Sequence, residues 1–240
     1  MMNFRGFLPS SFNEWEGRVA AVVFTGGCNW RCAYCHGARL VADFATLPAI
    51  APEKIAATLR QKRDWLDGIV ITGGEPTLQP DLIEFIRELH ALPLPVKLST
   101  NGSQPAVVAR LLTEKLPACL SFDYKAPSER LARLAGITAA EVAAVRESYD
   151  LARQAAPETV AEIEFHTTLC PRYVNREILA TMARELACPR ALWILQQYEN
   201  DIEMLDAKTA GTDRYPREEL DALAAVARRE HANVLLRYGK

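Results

Sequence analysis

Residues 18–37 read RVAAVVFTGGCNWRCAYCHG, an almost continuous apolar run followed at once by two glycines and three closely spaced cysteines. An apolar run of this length that ends in glycine is typical of a strand buried on both faces, as in a parallel sheet. Similar short runs recur along the whole chain. We predict strands at 18–25, 68–73, 95–100, 118–124, 161–168 and 191–197, and 233–238 is a candidate seventh strand.

The segments between these runs have apolar residues at helical spacing, and several begin with proline or an acidic residue. We predict helices at 52–65, 80–91, 104–116, 138–154, 175–187 and 216–230. Strands that alternate with helices indicate right-handed βαβ units and a parallel sheet. The pattern fits an open doubly wound sheet and a partly closed barrel equally well. No internal repeat or linker is visible, so we predict a single domain over residues 1–240.

The composition excludes some classes of function. The 240 residues include 28 Lys and Arg and 30 Asp and Glu, which gives a formal net charge of −2. This balance lacks the basic character of a nucleic-acid-binding protein. The N-terminal segment does not resemble a secretory signal, and no apolar stretch is long enough to cross a bilayer. We therefore expect a cytoplasmic protein that binds neither nucleic acid nor membrane.

The cysteine loop has the spacing Cys28-x3-Cys32-x2-Cys35. Thiolates are ligands for soft metals and for iron–sulfur clusters, and a [4Fe–4S] cluster held by three of them keeps one iron open. A small molecule with an amine and a carboxylate could bind that iron. The spacing also allows a zinc site completed by His36, or a loop without metal. The remaining cysteines have apolar surroundings, and we expect structural roles for Cys119, Cys170 and Cys188.

Three further polar clusters follow predicted strands, at 72–77 (TGGEPT), 97–102 (KLSTNG) and 123–125 (DYK). Ligands of parallel α/β proteins bind at the carboxyl ends of the strands. Paired glycines allow close backbone approach, and the carboxylate of Glu75 could accept a hydrogen bond from an ammonium group. Asp123 and Lys125 would share one face of their strand. The four clusters therefore predict one shared site.

The loop T-G-G-C-N-W-R-C-A-Y-C-H-G resembles the cluster loop of the radical S-adenosylmethionine (SAM) superfamily, whose signature is C-x3-C-x-aromatic-C. The resemblance implies that the three cysteines bind a [4Fe–4S] cluster, that SAM chelates the open iron, and that Tyr34 lies near the adenine. It implies an oxidoreductase that cleaves SAM to a 5′-deoxyadenosyl radical, which abstracts hydrogen from the substrate. The protein then positions and shields the cofactors. The implied fold is a partial (β/α)6 TIM-like barrel.

The same resemblance implies roles for the other clusters, and no catalytic residue beyond the cluster and SAM site. The G-G-E motif would bind the methionyl amino group, T-N-G resembles a D-T-N-G motif that helps to bind SAM, and D-x-K would place its lysine on the SAM carboxylate. Ser99 replaces the aspartate of D-T-N-G, which leaves a monovalent cation site open to question. The implied SAM-binding residues are Tyr34, Gly73, Gly74, Glu75, Thr100, Asn101, Asp123 and Lys125.

One branch of the superfamily is especially similar. G-F-x-P-S-S-x-N-E-W-E-G near the N-terminus and V-K-L-S-T-N-G resemble activating proteins of anaerobic ribonucleoside-triphosphate reductase, close to pyruvate formate-lyase activating enzyme. This implies a glycyl radical enzyme as partner and protein substrate, and an electron donor of the flavodoxin or ferredoxin type. Gly37 stands where that branch usually has asparagine.

Two other functions stay open at this point. One is a radical SAM enzyme that acts on a small molecule, similar to the compact 7-carboxy-7-deazaguanine synthases. The other is a non-catalytic metal-binding or electron-transfer module, in which the motifs after the cysteine loop would have no purpose. Polar residues interrupt two apolar strands at His166, Gln196 and Gln197. Each could face the interior of a barrel or be a satisfied residue of the core or sheet edge.

Overall fold

The computed structural model describes residues 2–186, 188–201 and 203–239. One eight-stranded sheet runs in sequence order, with β1 antiparallel to β2 and every later neighbour parallel. The strands are β1 (Phe4–Ser11), β2 (Ala20–Thr25), β3 (Gly68–Gly73), β4 (Val96–Thr100), β5 (Cys119–Asp123), β6 (Glu162–Leu169), β7 (Leu192–Gln197) and β8 (Val234–Arg237).

Helices connect successive parallel strands and cover one face of the sheet. In the described part of the chain they are α1 (Ala38–Ala42), α2 (Pro52–Lys62), α3 (Leu82–Leu89), α4 (Pro105–Thr113), α5 (Ser128–Ala135), α6 (Ala139–Gln154), α7 (Arg176–Leu186), α8 (Ala207–Ala210) and α9 (Arg217–Arg228). The main core lies between this layer and alternate strand residues, such as Ile71, Leu98 and Phe165. Because the side chains of a strand alternate, the strand residues between these core positions lie on the opposite face of the sheet, away from the helices.

The inward face is concave. Lys97 of β4 contacts Glu164 of β6 across the intervening strand, with 2.5 Å between Nζ and Oε2. Arg237 of β8 reaches Glu16, in the connection between β1 and β2, with 2.9 Å between Nη2 and Oε2. Because the second contact joins the last strand to the connection that follows the first, the sheet curls and its two edge strands approach each other. The prediction of a partial barrel is therefore confirmed.

Trp15 fills the amino-terminal end of the concave face. Its ring is buried and lies against Gly68, where an added Cβ would be 2.7 Å from a ring carbon. The indole Nε1 donates a hydrogen bond of 2.9 Å to Glu162, and the Arg18 guanidinium lies 4.4 Å from the ring centroid. The floor of the half-barrel is therefore closed by the connection between β1 and β2.

The six predicted strand–helix units correspond to β2–β7, and β8 confirms the candidate seventh strand. Strand β1 was missed because FRGFLPSS contains glycine and proline and is mostly half-buried or exposed, so it has no apolar run. The short helices α1 and α8 and the helix α5 were also missed. Position 187, the predicted end of α7, lies outside the described residues. The prediction of one domain over 1–240 stays a prediction.

No helix in the described ranges combines the length and apolar character needed to span a membrane.

Candidate active site

The four sequence clusters follow four adjacent strands, β2 to β5, at their carboxyl ends. The cysteine loop begins after Thr25, and the second cluster begins at the end of β3, where Gly73 is the register partner of Thr25. Thr100 ends β4 and Asp123 ends β5. The fold thus brings the predicted site residues together at the carboxyl-terminal end of the sheet.

The two glycines of the second cluster are required by the neighbouring backbone. The Gly74 N–H donates to the Thr25 carbonyl at 2.8 Å, and the Glu75 N–H donates to the Gly27 carbonyl at 2.8 Å. A Cβ on Gly74 would lie 2.0 Å from the Gly27 oxygen, and Gly73 has φ of +115°. Side chains at these positions would separate the two loops. The close approach made by these glycines is thus to the cysteine loop itself.

The carboxylate of Glu75 joins the second cluster to the third. Its Oε1 accepts from the Thr77 N–H at 3.0 Å, from the Thr77 hydroxyl at 2.5 Å and from the Thr100 hydroxyl at 2.7 Å. Its Oε2 accepts from the Asn101 N–H at 2.7 Å. Burial raises the pKa of Glu75, while these hydrogen bonds oppose the rise. Glu75 therefore acts as a buried brace between two turns.

Asn101 connects the third cluster to the first cysteine. Its Nδ2 donates to Asn29 Oδ1 at 3.0 Å and lies 3.8 Å from Cys28 Sγ, and its Oδ1 accepts from the Ser103 N–H at 2.9 Å. The Ser103 hydroxyl lies 3.4 Å from Asn29 Oδ1. Sequence reasoning missed Asn29 and Ser103. The only signal for Asn29 was a polar residue directly after the first cysteine.

Lys125 and Asp123, of the fourth polar cluster, form an ion pair at the end of β5. Lys125 Nζ lies 3.1 Å from Asp123 Oδ1 and 5.8 Å from the centroid of the Tyr34 ring. Burial opposes charging of Lys125, but the carboxylate of Asp123 together with Tyr34, Cys32 and Cys35 outweighs it, and the pKa of Lys125 is raised. Tyr34 is buried, and its hydroxyl lies 3.5 Å from the Lys125 carbonyl. A charged lysine therefore lies beside the signature aromatic residue.

Burial disfavours the ionised form of all three thiols of the loop. Burial raises the pKa of Cys28 and of Cys32 to about 12 and raises the pKa of Cys35 as well. The charge of Lys125 opposes the rise at Cys32 and Cys35. A metal centre displaces such protons directly, and three soft thiolates are the donor set of an iron–sulfur cluster. The residues therefore fit a [4Fe–4S] cluster with one open iron.

A single zinc ion fits less well. Zn–S bonds of about 2.3 Å would hold the thiolates within about 4 Å of one another. Among the described residues, the group of three ligand atoms that lie within 4.8 Å of one another consists of Cys119, Glu162 and Glu164. The three thiols of the cysteine loop do not form such a group, so they are not spaced for a single zinc ion. His36, the fourth ligand of the alternative zinc site, is exposed.

The remaining polar strand residues separate into two kinds. Both polar atoms of the Gln197 side chain have hydrogen-bond partners. Its Nε2 donates to the Tyr215 carbonyl at 3.1 Å, and its Oε1 accepts from the Gly239 N–H at 2.7 Å. Gln196 lines an open cavity of about 600 Å³, and His166 faces the concave side. The cysteines expected to be structural are buried, namely Cys119, Cys170 and Cys188.

Comparison with known proteins identifies the class. The model of the radical SAM superfamily matches residues 22–186, more than half of the chain, so the chain belongs to this superfamily. Its cofactors are a [4Fe–4S] cluster and SAM, as the resemblance implied. The match runs from within β2 to the end of α7 and includes all four polar clusters.

Two individual relatives differ in how much of this chain they match. The chain is 27% identical over 243 residues to a candidate glycyl-radical enzyme activating enzyme of Methanocaldococcus jannaschii, covering 97% of this chain and 94% of that protein. It is 32% identical over 112 residues to molybdenum cofactor biosynthesis protein 1 of Mus musculus, covering 45% of this chain but only 17% of that protein.

Two solved structures share the fold. A radical SAM methyltransferase from Sphaerobacter thermophilus superposes with a TM-score of 0.72 at 17% identity, covering 94% of this chain and 68% of that chain. SuiB of Streptococcus suis, bound to S-adenosylmethionine, superposes with a TM-score of 0.61 at 16% identity, covering 89% of this chain and 45% of that chain. At these identities the likeness concerns the fold alone.

Proposed function

We propose that Cys28, Cys32 and Cys35 hold the [4Fe–4S] cluster, and that SAM binds across the ends of β3, β4 and β5. The geometry that supports this is the set of hydrogen bonds that joins those strand ends to one another and to the cysteine loop. A [4Fe–4S] cluster held there would supply the electron for reductive cleavage of SAM to methionine and a 5′-deoxyadenosyl radical, the species that would abstract hydrogen from the substrate. The protein's residues bind, orient and shield these groups.

Lys125 supplies a positive charge for the SAM carboxylate, and a lysine fits this task because its ammonium is a compact, mobile charge. Asp123 lies 3.1 Å from that ammonium and favours its charged form. Tyr34 offers a buried aromatic face for the adenine. The backbone at Gly73 and Gly74 lies beside the cysteine loop, where the methionyl amino group would bind.

Thr100, Asn101 and Glu75 act indirectly in this proposal. Glu75 is engaged by hydrogen bonds from within the protein, so its main contribution is to hold the turns after β3 and β4 in register. Asn101 lies between that brace and Cys28. These residues would determine where SAM is presented to the open iron.

For the reaction, we propose that the enzyme generates a glycyl radical on a partner enzyme, in the manner of an anaerobic ribonucleotide reductase activase. The observation that carries the proposal is the alignment with the M. jannaschii protein, which runs over 97% of this chain and 94% of that relative. The open side of the half-barrel also suits a protein segment as substrate, because β1 and β8 end the sheet without joining.

The test uses the reconstituted, reduced protein with SAM and a full-length anaerobic ribonucleotide reductase. We expect 5′-deoxyadenosine together with a glycyl doublet in the electron paramagnetic resonance spectrum. A Cys32→Ala variant serves as control and should give neither signal. 5′-Deoxyadenosine without a doublet, combined with turnover of a small molecule, would instead favour an enzyme similar to 7-carboxy-7-deazaguanine synthase.

A further inference from the structure

His166 lies directly beside the proposed SAM site. On β6 it is the register partner of Asp123 on β5, and adjacent strands lie about 4.8 Å apart. The Tyr124 N–H donates to the His166 carbonyl at 2.8 Å, which fixes this register at the strand end. His166 therefore projects from the concave face at the level of the carboxylate that pairs with Lys125.

A buried ion pair holds the imidazole in one orientation. His166 Nε2 lies 2.8 Å from Glu164 Oε2, and the same oxygen accepts from Lys97 Nζ at 2.5 Å. Lys97 Nζ also donates to the Glu14 carbonyl at 2.8 Å. Burial opposes ionisation of Glu164, but the hydrogen bonds and charges of His166 and Lys97 outweigh it and lower the pKa of Glu164 to about 2. The carboxylate is thus a permanent acceptor.

The charge state of His166 follows from its surroundings. Burial lowers the pKa of His166, and the nearby charges of Lys97 and Arg237 act in the same direction, while Glu164 opposes them. A neutral imidazole that donates Nε2–H to a carboxylate carries its acceptor lone pair on Nδ1. Within the ranges that the structure describes, no hydrogen bond engages this Nδ1.

His166 also marks the depth to which the concave face is accessible. Its side chain is 26% exposed, whereas that of Glu164, two residues deeper on the same face, is 3% exposed. Below them Trp15 closes the floor. A substrate that enters from the carboxyl-terminal end of the sheet would therefore contact the His166 imidazole at the bottom of the accessible concave face.

We propose that Nδ1 of His166 accepts a hydrogen bond from a backbone N–H of the peptide segment that carries the target glycine. This rests on the proposed glycyl radical function. A glycine offers no side chain for recognition, so the polar groups that can orient it are the N–H and C=O groups of its own backbone. A fixed acceptor selects an N–H over a carbonyl, and this would orient the glycine Cα toward the radical.

The test replaces His166 so that one nitrogen at a time is imitated. His166→Asn keeps an amide near the position of Nδ1, His166→Gln keeps a donor to Glu164 but lacks the Nδ1 acceptor, and His166→Leu removes both. Each reconstituted protein is assayed with SAM and the anaerobic ribonucleotide reductase. The measured quantity is the amount of glycyl radical per 5′-deoxyadenosine formed.

We expect His166→Gln and His166→Leu to lower this ratio about tenfold, as the loss of one hydrogen bond to substrate predicts, and His166→Asn to retain most of it. Cluster absorbance and SAM affinity should match those of the unaltered protein in all three. An unchanged ratio in His166→Gln and His166→Leu, or an equal fall in all three variants, would overturn the proposal. Absence of a glycyl radical with the unaltered protein would instead overturn the proposed function, and this inference with it.

Discussion

The carboxylate of Glu75 accepts a hydrogen bond of 2.7 Å from the backbone N–H of Asn101, and this contact joins the turns that follow two adjacent strands. The other carboxylate oxygen accepts from Thr77 and Thr100. A carboxylate can satisfy four donors because both of its oxygens only accept. The site is therefore organised before SAM binds.

A Glu75→Gln substitution tests this brace. The substitution replaces one carboxylate oxygen by an NH2 group, which cannot accept the hydrogen bonds that this oxygen accepts. We therefore expect the free energy of unfolding to fall by about 2 kcal/mol and the affinity for SAM to fall about tenfold. Denaturant unfolding and calorimetric titration with SAM measure the two effects. Glu129→Gln, at an exposed position of α5, is the matched control. Unchanged stability and SAM affinity in Glu75→Gln would contradict the brace.

The proposed cluster ligands predict a sharp difference among the cysteines. Alanine at any of Cys28, Cys32 or Cys35 should abolish the iron–sulfur absorbance and reduce bound iron to trace amounts, because a two-thiolate site no longer holds the cluster. Alanine at Cys119, at the amino end of β5, or at Cys188, which precedes β7, should leave a full cluster. Iron and sulfide analysis after anaerobic reconstitution provides the measurement. A full cluster in all three loop variants would refute the assignment.

Gly74→Ala should damage the site through its backbone contact. The added Cβ would lie 2.0 Å from the Gly27 oxygen, a distance that forces the two loops apart. We expect impaired cluster assembly and a lower melting temperature. Gly211→Ala is the control, since nothing lies within 4 Å of its added Cβ. Equal cluster content and melting temperature in the two variants would show that the loops are not held by this contact.

The ion pair between Lys97 and Glu164 should behave as a buried pair. Lys97→Met leaves the carboxylate without its cation, and we expect a loss of about 3–5 kcal/mol in the free energy of unfolding. Adding Glu164→Gln should recover part of that loss, because the uncompensated charge is removed. Arg87→Met interrupts exposed pairs with Glu84 and Glu114 and should leave the free energy of unfolding nearly unchanged. Urea unfolding at neutral pH compares the variants, and similar losses in Lys97→Met and Arg87→Met would contradict the prediction.

Two of the four tryptophans, Trp15 and Trp65, offer a further comparison of a buried and an exposed position. Trp15→Ala would open a cavity in the floor of the half-barrel, with an expected loss of about 3–5 kcal/mol in stability. Trp65 is 82% exposed, so Trp65→Ala should change stability by about 0.5 kcal/mol or less. The same unfolding experiment measures both, and a small effect at Trp15 would mean that the floor is not closed by packing.

Much of the architecture could be predicted because parallel strands buried on both faces leave near-continuous apolar runs. Strand β2 (Ala20–Thr25) lies inside the predicted 18–25, and α6 (Ala139–Gln154) matches 138–154 to within one residue. Strand β1 could not be predicted in this way. It forms an edge of the sheet, and its pairing with β2 replaces the burial that would have marked it.

By itself, the sequence determined the local chemistry: the spacing of the three cysteines, and polar clusters placed directly after apolar strands. Those features lie within a few residues of one another, so their geometry follows from the backbone of a single turn. The tertiary structure alone decided that Glu75 accepts from Asn101, that Trp15 reaches Glu162, and that Lys97 pairs with Glu164. These contacts join residues far apart in the chain, and the curl of the sheet determines which of them meet.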